Sequence, residues 1–104
     1  MQKILIMYAV LFDLDTNCLS DNYGEGAYNN AYKNIKDYML ANGFEWKQGS
    51  VYFGGESINA VNCVLIVQRL AKKYPWFSTC VKDIRMLRID EYNDLGPALR
   101  EIAD

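Results

Sequence analysis

Nine consecutive residues, Ile4-Leu5-Ile6-Met7-Tyr8-Ala9-Val10-Leu11-Phe12, carry no charged or amide side chain, and they restrict the fold more than any other segment. The run is β-branched and aromatic, which predicts a strand. A two-residue period puts Ile4, Ile6, Tyr8, Val10 and Phe12 on one face. Leu5, Met7, Ale-type small Ala9, Leu11 and then Asp13 take the other. Both faces are apolar, so the strand is central and covered on both sides. The run is too short to span a bilayer. It leads into Asp13 and Asp15 with no small-residue cleavage site, which does not fit a secretion signal.

Downstream, residues 15–26 are rich in Asp, Asn, Ser and Gly and read as a loop. Tyr28, Ala31, Tyr32, Ile35, Tyr38, Met39 and Asn42 follow helical spacing, with Gly43 where a C-cap falls. Phe44 to Gln48 and Ser50 to Phe53 form two aromatic-rich strand fragments around a Gly49-Ser50 pivot. Ser57 or Asn59 caps a second helix carrying Val61, Val64, Leu65, Val67, Leu70, Ala71 and Tyr74, and Pro75 ends it. Val81 to Ile89 is a further strand. Pro97 suits the first turn of a short C-terminal helix over residues 98–103. The order is β-α-β-β-α-β with a short tail, a single α+β domain over residues 1–104 in the ferredoxin-like arrangement. That fold covers one sheet face with helices and leaves the other bare. A homodimer with two sheets face to face resolves the conflict with a doubly apolar first strand. Capping of the bare face by the C-terminal helix is the alternative.

The 104 residues contain no histidine. This excludes the Ser-His-Asp triad, Cys-His proteolysis, His-ligated zinc and proton shuttling between imidazoles. Any catalysis must use carboxylates, a metal, Lys, Arg, Tyr, Ser or Cys. Cys18, Cys63 and Cys80 form no CxxC pair and read as reduced, packed thiols of a cytoplasmic protein. The formal net charge of −2 does not mark the chain as a nucleic-acid binder. Arg69, Lys72, Lys73, Lys82, Arg85 and Arg88 nevertheless cluster in the C-terminal half.

Motifs along most of the length resemble the VapD family, the virulence-associated protein D ribonucleases of bacteria. They are Tyr8-Ala9 to Phe12-Asp13-Leu14, Tyr23-Gly24-Glu25, Tyr28-Asn29 with Ala31-Tyr32, and Gly43-Phe44-Glu45-Trp46 with Gln48-Gly49-Ser50-Val51-Tyr52. Trp76-Phe77 and Val81 with Asp83-Ile84-Arg85 complete the set, which spans about residues 7–95. Members resemble in fold the small CRISPR-associated ferredoxin-like nucleases, which also carry an Asp at the end of the first strand. The resemblance implies a dimeric endoribonuclease that cleaves single-stranded RNA, mRNA in particular, as the toxin of a toxin–antitoxin pair. Residues 1–6 stand outside it as an N-terminal extension of the first strand. Gly26-Ala27 replaces a shorter, often Pro-containing link.

With that resemblance, Asp13 becomes the central functional carboxylate; without it, a strand-ending Asp capping the next loop would be favoured. If its face is the dimer interface, two copies of Asp13 approach a two-fold axis. Close carboxylates repel, which suits a shared proton or a Mg²⁺ between them. Ser50 is placed to bind a phosphate oxygen or a water. Asp83 approaches Asp13 from the neighbouring strand, or pairs with Arg85. Arg85 and Arg88 are candidate phosphate contacts. Tyr23, in a loop beside Gly24, is the best candidate for stacking on an RNA base. The competing reading is a catalytically inactive dimeric scaffold that binds RNA or a protein. A small-ligand sensor has no motif in its favour.

Overall fold

In a computed structural model describing residues 6–23 and 27–102, the apolar run forms β1 (Met7–Leu14). The side chains of residues 22, 23, 27 and 28 lie outside the description, as do Ile4 and Leu5 of the expected strand. Helix α1 (Thr16–Tyr23) follows β1, then α2 (Ala27–Ala41), β2 (Phe44–Gln48) and β3 (Val51–Gly54). The chain continues through α3 (Ala60–Lys73), α4 (Pro75–Cys80), β4 (Val81–Ile89) and α5 (Gly96–Ile102). The sheet order is β2-β3-β1-β4. Every neighbouring pair is antiparallel. This is the split βαβ arrangement, so the α+β, ferredoxin-like expectation holds.

One face of β1 builds the core. Val10, Phe12 and Leu14 are buried with Leu19 of α1, Ala31, Ile35 and Met39 of α2, and Cys63, Ile66 and Leu70 of α3. The spacing in α2 and α3 is the i, i+3/i+4 stripe of a helix lying on a sheet. Tyr38 Oη donates to the Ile66 carbonyl at 3.1 Å, which ties α2 to α3. Gly43, at φ 91°, takes the left-handed conformation that stops α2 and turns the chain into β2. Asn59 caps α3 in a reciprocal box with Asn62.

One expectation needs correction and another is extended. Residues 16–23 are helical, because Asp15 Oδ1 accepts the Cys18 amide at 3.1 Å and Leu19 gives the turn one fully buried anchor. Pro75 does more than end α3. It opens α4 at a position where its missing N–H costs nothing. Val61, Val64 and Leu65 of α3 are exposed and line an apolar groove with Met86 of β4.

On the other sheet face, Met7, Ala9, Leu11 and Asp13 stand opposite Ile89, Leu87, Arg85 and Asp83. Tyr92, beyond β4, sets its ring edge-on against Phe53 at 5.5 Å and covers part of this face. No residue of α5 is buried, so the connecting segment and not the helix provides the contact. Leu87 is left 48% exposed there.

The cysteines also depart from expectation. Cys18 and Cys80 form a disulfide between α1 and the end of α4, and only Cys63 is a free, buried thiol among the described residues. The bond spans 62 residues of sequence, so it constrains a long loop of the unfolded chain. Reduction, or Cys18→Ser with Cys80→Ser, should lower stability by about 2–4 kcal/mol. Urea unfolding with and without reductant measures it, and the double variant should show no reductant effect.

Candidate active site

The geometry of the site starts from Phe12. Its ring lies against Tyr32 of α2 and Tyr52 of β3, and edge-on to Phe77 of α4 at 5.6 Å. With that ring fixed in the core, strand alternation sends the next side chain, Asp13, out of the opposite face. Asp13 is directly opposite Asp83, and the β1–β4 register shifts immediately after it. On the other flank, Leu11 pairs with Val51, and the Phe12 amide donates to the Ser50 carbonyl at 3.2 Å. The structure therefore brings Asp13, Ser50 and Asp83 to one end of the sheet. Gly49, at φ 48°, forms the first half of the tight turn that presents Ser50.

The capping role open to a strand-ending aspartate is filled by Asp15, two residues on. The Asp15 amide also donates to the Cys80 carbonyl at 2.8 Å, which fixes the exit of β1 against the entry of β4. Asp13 is exposed, and its carboxylate has no hydrogen bond or ion pair among the described residues. Asp83 faces it and is also held by Arg85: Nε donates to both carboxylate oxygens at 3.0 and 3.1 Å. That hydrogen bonding, followed by the charge of Asp83, raises the Arg85 guanidinium above its ordinary pKa. Both partners are more than half exposed, so the pair contributes little to stability. Its use is to keep a guanidinium on the same face as Asp13, where a phosphate can compete for it.

Arg88 does not join this group. It pairs with Tyr8, five residues along β1 from Asp13 and on the helix-covered face, and it bonds Asp90 at 3.2 Å. Tyr23 ends α1 instead of lying in a loop, and its side chain is outside the described residues. Among the described residues no group of three or more His, Cys, Asp or Glu side chains converges as a metal site.

Two features escaped sequence reasoning. The Cys18–Cys80 bond needs a spatial neighbour that spacing cannot supply. The exposure of Trp46 is the other: it is 43% exposed, with the Lys36 ammonium 4.1 Å over its ring. Trp46 stands at a position of β2 that pairs with buried Tyr52, but β2 is an edge strand, and only Phe44 of its five residues is buried.

Comparison with known proteins completes the assignment. Endoribonuclease VapD 2 of Riemerella anatipestifer is 70% identical over 93 residues, which cover 89% of this chain and 99% of that protein. An Endoribonuclease VapD homolog of Helicobacter pylori is 57% identical over 90% of this chain and 97% of its own length. Endoribonuclease VapD of Dichelobacter nodosus is 40% identical over 85% and 91%. The chain belongs to the VapD family of endoribonucleases. No family profile matches the sequence. In this VapD chain the resemblance drawn from short motifs extends over most of the length.

Two carboxylates placed directly opposite each other on adjacent strands are destabilising, and here the opposition lies at the candidate site. Asp13→Asn should raise stability by about 0.2–1 kcal/mol, toward the low end because Arg85 already offsets Asp83. Chemical denaturation of the two proteins at neutral pH measures the difference.

Proposed function

We propose that this VapD chain cleaves single-stranded RNA, including mRNA, with Asp13 as the central functional carboxylate. The observation that carries the reading is the freedom of Asp13. It is exposed and without a bonding partner among the described residues, beside the Ser50 turn and opposite the Asp83–Arg85 pair. Asp13 accepts the proton of the attacking oxygen, either a water or the ribose 2′-hydroxyl. Arg85 receives the scissile phosphate, exchanging part of its bond to Asp83 for a phosphate oxygen. The Ser50 hydroxyl contacts a second phosphate oxygen. Asp83 holds Arg85 in place, and the 5′-oxygen leaves as a hydroxyl with a proton taken from solvent water.

A homodimer fits the same face. Asp13 shares it with Met7, Leu11, Val51, Leu87 and Ile89, an apolar surface that a second sheet would cover. Where the two-fold axis of such a dimer passes beside Asp13, the two carboxylates come together. Two close carboxylates repel, and a Mg²⁺ bound by one or two of them with retained waters would relieve that repulsion. The ion would brace the phosphate or lower the pKa of a bound water. The proposal extends to a toxin whose partner is an antitoxin protein. It also extends to action in the cytoplasm, where mRNA is found. No helix among the described residues is long and apolar enough to cross a membrane.

Gel cleavage of a labelled single-stranded RNA by wild type and Asp13→Ala, with Mg²⁺ or with EDTA, tests the reading. The variant should lose about 10²- to 10⁴-fold in rate while its elution on size exclusion is unchanged. Loss of wild-type cleavage in EDTA supports the metal, and cleavage in EDTA that still depends on Asp13 discards it. Equal cleavage by both proteins removes Asp13 from the mechanism. Absence of cleavage by the wild type, with folded protein, would favour a binding scaffold.

A further inference from the structure

On the helix-covered side of the sheet, Tyr32, Lys33, Lys36, Trp46, Gly49 and Tyr52 line an open cleft of about 270 Å³. Three properties distinguish it from an ordinary solvated surface. The Trp46 indole is held in place, because its Nε1–H donates to the Gly49 carbonyl at 2.9 Å. A ring fixed in this way loses little freedom when another ring stacks on it. Lys36 is poised over that ring at 4.1 Å. Lys33 is paired with Asp37 at 2.8 Å, but the pair is exposed, so both Lys33 and Lys36 are cations of the cleft that can meet a phosphate. Tyr52, 1% exposed, lines the cleft beside Trp46. Burial pushes the Tyr52 hydroxyl up to about 12; like any phenol it is a donor at neutral pH.

A fixed indole, the Lys36 ammonium beside it and a buried phenol match the stacking face, the phosphate and the edge of a nucleotide. The cleft does not overlap the Asp13 face. Trp46 and Tyr52 point to the helix side, and Asp13 and Asp83 to the other. The two are joined around the Gly49-Ser50 turn. A Cβ built on Gly49 meets nothing within 4 Å, so the rim of the turn is open to a passing strand.

We propose that this cleft is a base-stacking subsite for single-stranded RNA, holding a nucleotide next to the scissile one while the strand crosses the Gly49-Ser50 turn to Asp13. The inference rests on the RNA-cleaving reading and adds to it a second contact region, on the opposite side of the sheet. Stacking on Trp46 is tolerant of base identity, because every base has a π face.

The test is binding of a 2′-O-methyl single-stranded oligonucleotide in EDTA, followed by Trp46 fluorescence in a Trp76→Phe background that leaves one tryptophan. Binding should quench the emission. Lys36→Ala and Tyr52→Phe, which leave the Trp46–Gly49 bond intact, should each weaken affinity several-fold. Trp46→Ala, which has no emission to follow and is read instead by the anisotropy of a labelled oligonucleotide, should weaken it about tenfold or more. In parallel, cleavage of ribo-oligonucleotide by the Lys36→Ala protein should show a raised KM with kcat nearly unchanged. Wild-type cleavage combined with unquenched fluorescence and unchanged affinity in all three variants would overturn the subsite and leave the nuclease standing. Wild-type protein that neither cleaves nor binds would overturn both. Quenching and variant-dependent binding without cleavage would retain the subsite and remove the nuclease.

Discussion

The packing of the Phe12 ring is the contact on which the rest of this fold depends. One side chain touches α2 through Tyr32, β3 through Tyr52 and α4 through Phe77. Deleting it would leave a cavity where three elements meet, and Phe→Ala changes in such places cost about 3–5 kcal/mol. The consequence for function is positional. A strand alternates strictly, so a ring locked on one face fixes the direction of the residues on either side. Asp13 is held on the solvent face by the burial of its neighbour, and its carboxylate needs no bonds of its own to stay there.

That separation of duties recurs around the site. Asp15 caps α1 and lends its amide to Cys80, while Asp13, two residues away, is left unused. Asp83 is bound by Arg85 and yet faces Asp13, so the cluster combines an unpaired carboxylate with a paired one. A fold selected for stability alone would not oppose two aspartates across a strand pair. The cost is tolerable because the surrounding β1–β4 ladder runs from Met7–Ile89 to Leu14–Val81, and the disulfide anchors its far end.

How far the sequence predicted this is uneven, and the reasons are physical. The four strands, the two long helices and the short C-terminal helix were legible because each carries a period or a stop signal. Examples are Ala31, Ile35 and Met39 along α2, and Gly43 after it. Helix α1 was not, since one buried leucine in eight residues makes no periodicity; only the Asp15 cap signals it. The buried face of α3 was not legible because its apolar residues outnumber its buried ones. Cys63, Ile66 and Leu70 point inward while Val61, Val64 and Leu65 do not. Asp13, Ser50 and Asp83 could be named from motifs, but their meeting depends on β1 lying between β3 and β4. The Cys18–Cys80 bond was invisible for the same reason: α1 and α4 meet only once the sheet has formed.

The Gly49-Ser50 turn is where the two faces of the sheet are coupled. Its two carbonyls serve different partners. Gly49 O accepts from the Trp46 indole on the helix side, and Ser50 O accepts from the Phe12 amide within the sheet. With both carbonyls engaged, the turn is held by β2 and by β1 at once, and the Ser50 hydroxyl is not needed to hold it. A shift of the Trp46 ring therefore bears on the same two residues that border Asp13. A Gly-Ser pair with an aromatic residue three positions before it suits this arrangement. Gly49 supplies the positive φ and an open rim, Ser50 a small polar side chain, and Trp46 the anchor. The segment from Gly43 to Phe53 is informative in the sequence because it links the site to the core from both sides.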